Sequence, residues 1–199
     1  MVCSNRLRAL AFAAVAIGFA PAPAHAQEIG ARFGVNLSTI TFDTPDLLDV
    51  QARVGWVGGG FVTFLPKARV GLQVEGLISR RVVRFLPSVD DTLTYLEIPG
   101  LVRVNVYRGE TFVVHALGGG GFHYLLSANE SIDGGDADDV KAAFKPWEFA
   151  LVVGADAQLK ERWVFSARYI YGLTQVYQAS DDFPAKQRGF QFTAGYRFR

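Results

Sequence analysis

Apolar and polar positions alternate with a period of two along most of the chain beyond residue 27, the signature of β-strands whose two faces meet different surroundings. Eight segments carry the pattern, near residues 28–40, 53–65, 69–84, 92–107, 111–126, 146–160, 162–177 and 188–199. In the last, Phe190, Phe192, Ala194, Tyr196 and Phe198 share one face, with Gln191, Thr193, Gly195 and Arg197 on the other. The seventh sets Trp163, Phe165, Ala167, Tyr169, Tyr171 and Leu173 against Ser166, Arg168, Gly172 and Thr174. No stretch reads as a membrane helix. The longest uncharged run, Thr111 to Asn129, is interrupted by Gly118 to Gly121, and glycine is a poor helix former.

The apolar faces hold the bulk and the aromatic rings, while the opposite faces are sparse, glycine-rich and mixed in charge. A small barrel has little interior volume, so the aromatics of eight strands do not fit inside it. Turning the barrel inside out resolves this, with apolar faces toward lipid, polar faces in the lumen and aromatics at the interfaces. The links agree. Those at 66–68, 108–110 and 160–162 are tight, whereas those near 41–52, 85–91, 127–145 and 178–187 are long. Alternating short and long links mark an up-and-down barrel that crosses a membrane. The expected fold is therefore all-β, an eight-stranded antiparallel up-and-down transmembrane β-barrel.

Composition modifies this picture at the N-terminus. Arg6 and Arg8 precede an uncharged, Ala-rich run from Ala9 to Ala20, followed by Pro21, Pro23 and Ala24-His25-Ala26. Basic, apolar and small-residue regions in that order read as a secretory signal peptide over 1–26, cleaved before Gln27. Its run of 12 residues is too short to span ~30 Å of hydrocarbon. The domain then occupies 27–199, without Cys or Met, so no disulfide supports it. A net charge of +1 for the whole chain lacks the basic footprint of a nucleic-acid binder. Eleven of the twelve Asp fall in the four long links, with Glu130 added and only Lys141, Lys145 and Lys186 opposing. Asp favours turns over strands, which explains part of that sorting.

Two internal stretches carry a family resemblance. Tyr95-Leu96-Glu97-Ile98-Pro99, followed by an apolar run ending at Arg103, resembles a signature of the PorT-like outer-membrane β-barrel domain. Arg168-Tyr169-x-x-Gly172-Leu173-Thr174 resembles another. Gly34-Val35-Asn36-Leu37-Ser38 and Gly195-Tyr196-Arg197-Phe198 are similar to that family's first and last strands. The resemblance implies an eight-stranded barrel in the bacterial outer membrane, one that meets barrel-insertion machinery during biogenesis. Some relatives serve secretion, a role not carried over here.

The chemistry-bearing residues sort onto the same map. The inward face is expected to hold Arg32, Gln73, Glu75, Glu97, Arg103, Glu148, Asp156, Arg168 and Arg197, joined by Asn36, Gln158 and Gln191. Buried charges must be paired, so this set reads as a polar plug in preference to an ion path. His115 and His123 share the lumen parity but lie about 26 Å apart along an extended strand at ~3.3 Å per residue, too far to share a metal. No nucleophile, base and orienting group assemble into a catalytic set. The glycine runs 58–60 and 118–121 lack the Lys-Ser/Thr pair of a phosphate-binding loop and read as bending points. Pro99 cannot donate a ladder bond, so a bulge shared with Gly100 is expected there. Asp133 to Asp139 lacks the spacing of a calcium loop and reads as a solvated acidic segment. Arg80, Arg81 and Arg84 are expected to meet lipid head groups at the outer end of the third segment. No cofactor or metal is expected. The partners expected are outer-membrane lipids and the insertion machinery, with no nucleic acid, around a monomer. The reading is a structural or surface-interaction barrel, with a lipid-modifying enzyme or narrow pore as the alternative.

Overall fold

The computed structural model describes residues 27–42, 50–85, 89–132, 137–160, 162–176 and 185–198. The expected signal peptide over 1–26 lies outside the described residues. Eight long strands form the wall: β1 (Gln27–Phe42), β2 (Val50–Phe64), β3 (Val70–Phe85), β4 (Val89–Arg108), β5 (Phe112–Ile132), β7 (Trp147–Leu159), β8 (Trp163–Gly172) and β9 (Ala185–Arg197). A three-residue strand, β6 (Ala137–Asp139), pairs only with the far end of β5. Each wall strand is antiparallel to its neighbours, and β1 pairs with both β2 and β9, so the sheet closes into a barrel with no free edge in its wall.

The outer surface is an apolar belt. On β1 it presents Ile29, Phe33, Val35 and Leu37, on β7 Trp147, Phe149, Leu151 and Val153, and on β9 Phe190 and Phe192. Aromatic rings cluster at both rims. Trp163 meets Tyr196 edge-on with centroids 5.2 Å apart, and Tyr107 stacks on Phe112 at 5.1 Å, both beside the short turns. Trp147 meets Phe149 at the other rim, and Phe33 stacks on Trp56 within the belt. An apolar band with an aromatic girdle at each edge is the form a barrel takes in lipid.

Three sequence expectations change. The link expected over 85–91 is much shorter, because β3 runs to Phe85 and β4 starts at Val89, placing Asp90 and Asp91 in a strand. The segment expected as a solvated loop over 127–145 is partly ordered. β5 continues to Ile132, β6 folds back on it, and a 3-10 turn over Lys141–Ala143 leads to Phe144. Part of it, 133–136, lies outside the described residues. Pro99 sits in β4 without a bulge. The register with β3 is the same on either side, from Val74↔Gly100 to Leu77↔Glu97, with the ladder interrupted between. Losing a rung at the residue that lacks an N–H disturbs the sheet less than inserting a residue. Bulges occur instead at Thr94/Tyr95 and Asn105/Tyr107 on the β5 side of β4, and between Ala52 and Trp56 in β2.

Glycine matters where neighbouring strands approach closely. A Cβ on Gly119 would lie 2.1 Å from the Gly100 carbonyl oxygen, so two backbones approach too closely for any side chain. The short turns use left-handed residues, Leu65 at φ 54° and Lys160 at φ 47°.

Candidate functional site: the filled lumen and its two mouths

Alternation along the strands carries every second side chain into the lumen. All nine residues expected there, Arg32, Gln73, Glu75, Glu97, Arg103, Glu148, Asp156, Arg168 and Arg197, are buried inside the barrel. They form layers.

The middle layer centres on Glu75 of β3. Arg168 of β8 grips it through two parallel hydrogen bonds, Nη1 to Oε2 at 2.7 Å and Nη2 to Oε1 at 2.8 Å. That fork geometry is the strongest form of a carboxylate–arginine pair. Gln73 donates to Oε1 at 2.5 Å and accepts from Thr63 at 3.1 Å. Arg32 of β1 lies 3.4 Å from Glu75 and 3.8 Å from Asp156, its guanidinium 4.6 Å above the Phe61 ring. Asp156 also stands 3.6 Å from Arg168. Two cations and two carboxylates thus balance across four strands.

A second layer lies toward the end with the longer strands. Arg81 of β3 donates to Glu97 at 2.5 Å and to Gln187, and approaches His123 Nδ1 at 3.3 Å and Glu148 at 4.0 Å. This corrects one expectation: Arg81 faces the lumen and meets no lipid. Adjacent residues of a strand face opposite sides, so Arg80 and Arg81 cannot both point outward. Arg80 is exposed, and Arg84 forks onto Asp90 through bonds of 2.6 and 2.5 Å.

Near the short-turn end, Arg103 Nη2 sits 3.1 Å from His115 Nδ1 and 3.3 Å from Gln158 Oε1. Arginine has no acceptor, so Nδ1 of His115 accepts and the ring proton resides on Nε2. His123 Nδ1 lies between Arg81 Nη2 at 3.3 Å and the Glu148 carboxylate at 3.8 Å. Arg197 pairs with Glu28. Asn36 donates to the carbonyls of Trp56 and Arg80 at 3.1 and 3.2 Å and to Ser79 at 3.0 Å. It thereby ties β1 to the bulged part of β2 and to β3.

Sequence reasoning missed an apolar component of the lumen. Leu101, Leu117, Ala150, Val152 and Ile170 pack together inside the wall. Above the Arg81 layer, Leu93, Tyr95, Leu125, Ala128, Phe144 and Val176 form a second cluster that Val140 completes. Phe144 reaches it from the segment after β6, held by backbone bonds from Leu125 to Pro146 and from Lys145 to Val176. The parity of Leu93, Tyr95 and Leu125 with Glu97 and His123 was the available signal. The position of Phe144 had none, because it belongs to no alternating segment. At the opposite end the lumen opens into a cavity of about 330 Å³ ringed by the short turns.

Beyond Ile78 and Leu96 the outward positions of β3 and β4 turn mostly polar, with Arg80, Arg84, Thr94, Thr92 and Asp90 and a single apolar residue, Val82, so the strand ends project past the belt. Asp91 lies on this projection, buried on the lumen side and cross-strand from Glu130. Burial, followed by the charges of Glu130 and Asp90, pushes its carboxyl up to about 6.

A closed eight-stranded barrel with an apolar belt and a salt-bridged lumen defines a small integral protein of the bacterial outer membrane. Residues 19–178 match the family model described as outer membrane protein beta-barrel domain, and the chain belongs to that family. No curated protein is significantly similar in sequence. Among solved structures, Neisserial surface protein A aligns over 85% of this chain and 97% of its own at 11% identity, with a TM-score of 0.55. Ail, the attachment invasion locus protein of Yersinia pestis, covers 87% of this chain and 99% of its own at 19% identity and a TM-score of 0.49. OprG from Pseudomonas aeruginosa covers 87% and 97% at 14% identity and 0.44. In such barrels the short turns face the periplasm and the longer connections face outward.

Proposed function

We propose that this barrel is a non-conducting, non-catalytic anchor that presents a surface for interaction outside the cell. The observation carrying this reading is the stacking of closures above one another. An arginine–carboxylate layer around Glu75, another around Arg81 and an apolar plug containing Phe144 lie in succession along one narrow lumen. Above the plug, β4 and β5, of 20 and 21 residues, exceed the ~9–11 that a tilted strand needs to cross. Their excess, with β6, makes a ledge on which Asp138 and Asp139 are exposed. Both lumen histidines are engaged by arginine donors, which favours a structural use over acid–base work. The finer assignment to the PorT-like group belongs to this proposal and rests on the motifs at 95–103 and 168–174.

The test is conductance in planar bilayers, joined to a lipid-modification assay on the folded protein. The expected outcome is no unitary current and no altered lipid. Steps of defined conductance would replace the proposal with the pore, and acyl transfer or hydrolysis would replace it with the enzyme. Replacing Arg80 and Arg84 with Gln tests the lipid-contact part, for which reduced association with lipopolysaccharide is expected.

A further inference from the structure

We propose that the periplasmic mouth of the barrel is a binding site for a compact, soluble, multivalent oxyanion, carrying phosphate or several carboxylates. The inference needs only the barrel and does not depend on the outward surface role. The cavity of about 330 Å³ is walled by all three short turns and by the ends of β1 and β9. Among the described residues, Lys67, Arg108, Lys160 and Arg197 line it against Glu28 and Glu110. Glu28 already pairs with Arg197, so among the described lining residues Lys67, Arg108 and Lys160 are opposed by Glu110. The turns are held at one another, because Arg108 donates to the Lys67 carbonyl at 3.4 Å.

The floor of the cavity is built from buried donors. His115, 4% exposed, lines it together with Gln158. With Nδ1 taken by Arg103, His115 offers Nε2–H. Arg103 itself, 3% exposed, has an Nε with no hydrogen-bond partner. Arg103 does not line the cavity but stands behind His115 and Gln158. Its charge adds to the cations at the mouth, a setting that suits an anion, since charge-assisted bonds from Arg and Lys are strongest to phosphate and carboxylate oxygens. The volume equals roughly ten waters at ~30 Å³ each, room for a small anion with part of its hydration. The barrel wall separates the cavity from the hydrocarbon, so a two-chain lipid cannot seat its head group there without drawing its chains over the rim. A soluble anion enters along the axis.

The experiment is titration calorimetry of the folded full-length barrel in zwitterionic micelles at low salt, using pyrophosphate and citrate as probes. Saturable one-to-one binding is expected. The triple variant Lys67→Gln/Arg108→Gln/Lys160→Gln should weaken it at least tenfold, and Glu110→Gln should strengthen it severalfold, a gain that misfolding cannot mimic. NMR of histidine-labelled protein should show the His115 ring signals moving on titration while those of His123, deep in the other layer, stay fixed. Absence of saturable heat in the wild type, equal affinity in the triple variant, or unmoved His115 signals would each overturn the site. Competition by a short-chain anionic phospholipid as effective as pyrophosphate would overturn the claim that the occupant is soluble.

Discussion

Glu75→Gln isolates one buried charge with almost no change of shape. In the native barrel Glu75 and Asp156 balance Arg32 and Arg168. The substitution keeps the hydrogen-bonding outline but leaves one guanidinium charge unmatched, at a place where Glu75 and Arg168 are at most 1% exposed. Arg32 already lacks hydrogen-bonded partners in this layer, so it has little capacity to compensate. Breaking a buried pair from one side costs about 3–5 kcal/mol, whereas an exposed pair contributes about 0–1 kcal/mol. The two regimes are far enough apart to measure. The assay is reversible urea unfolding in lipid vesicles followed by tryptophan fluorescence. Arg168→Gln and the double variant complete a mutant cycle. The expected result is a loss of about 3 kcal/mol or more for each single variant and a double variant no worse than the poorer single. A loss below about 1 kcal/mol for Glu75→Gln would mean that water screens the charge. The lumen would then be hydrated, and the argument for a filled barrel would fail.

Asp91 gives a pH dependence of definite sign. Its folded value near 6 lies above the ordinary 3.8, so the native state holds the proton more tightly. Stability from this group is complete below about pH 4 and is lost as pH rises through about 6. Asp91→Asn should therefore stabilise the barrel at pH 7, by up to about 3 kcal/mol, and flatten the pH profile of the unfolding midpoint between 4 and 7. Phe144→Ala removes the centre of the outer plug and should cost about 3 kcal/mol, read from the same urea midpoint. Conductance should stay at baseline, because both charged layers remain. Gly119→Ala should destabilise by at least about 1–3 kcal/mol through backbone overlap, while Gly118→Ala, where an added Cβ meets nothing within 4 Å, should be nearly neutral. Unequal folding yields of the two variants on heat-modifiable gel mobility would check this.

The period-two pattern was enough to assign strands, membrane-facing faces and the inward polar set, because a strand offers only two sides and a one-residue shift exchanges them. That parity placed Glu75, Glu97, Asp156 and Arg168 in the lumen without knowledge of any contact. It also contained the correction to Arg81, since Arg80 and Arg81 are neighbours on one strand. Hydrophobicity alone could not separate lipid-facing from lumen-facing leucines. Leu101 and Leu117 needed their phase read against Glu97 and His115.

Local order along the chain therefore decided the barrel and its inverted faces. Tertiary structure decided what distance in sequence conceals. The grip of Arg168 on Glu75 joins residues 93 positions apart, and Arg81 reaches Gln187 across 106. Which arginine meets which carboxylate depends on barrel stagger and strand tilt, properties of the closed sheet that no single strand possesses. The plug formed by Phe144 is of the same kind. A side chain outside any repeating element finds its place only when closure has created a mouth for it to fill.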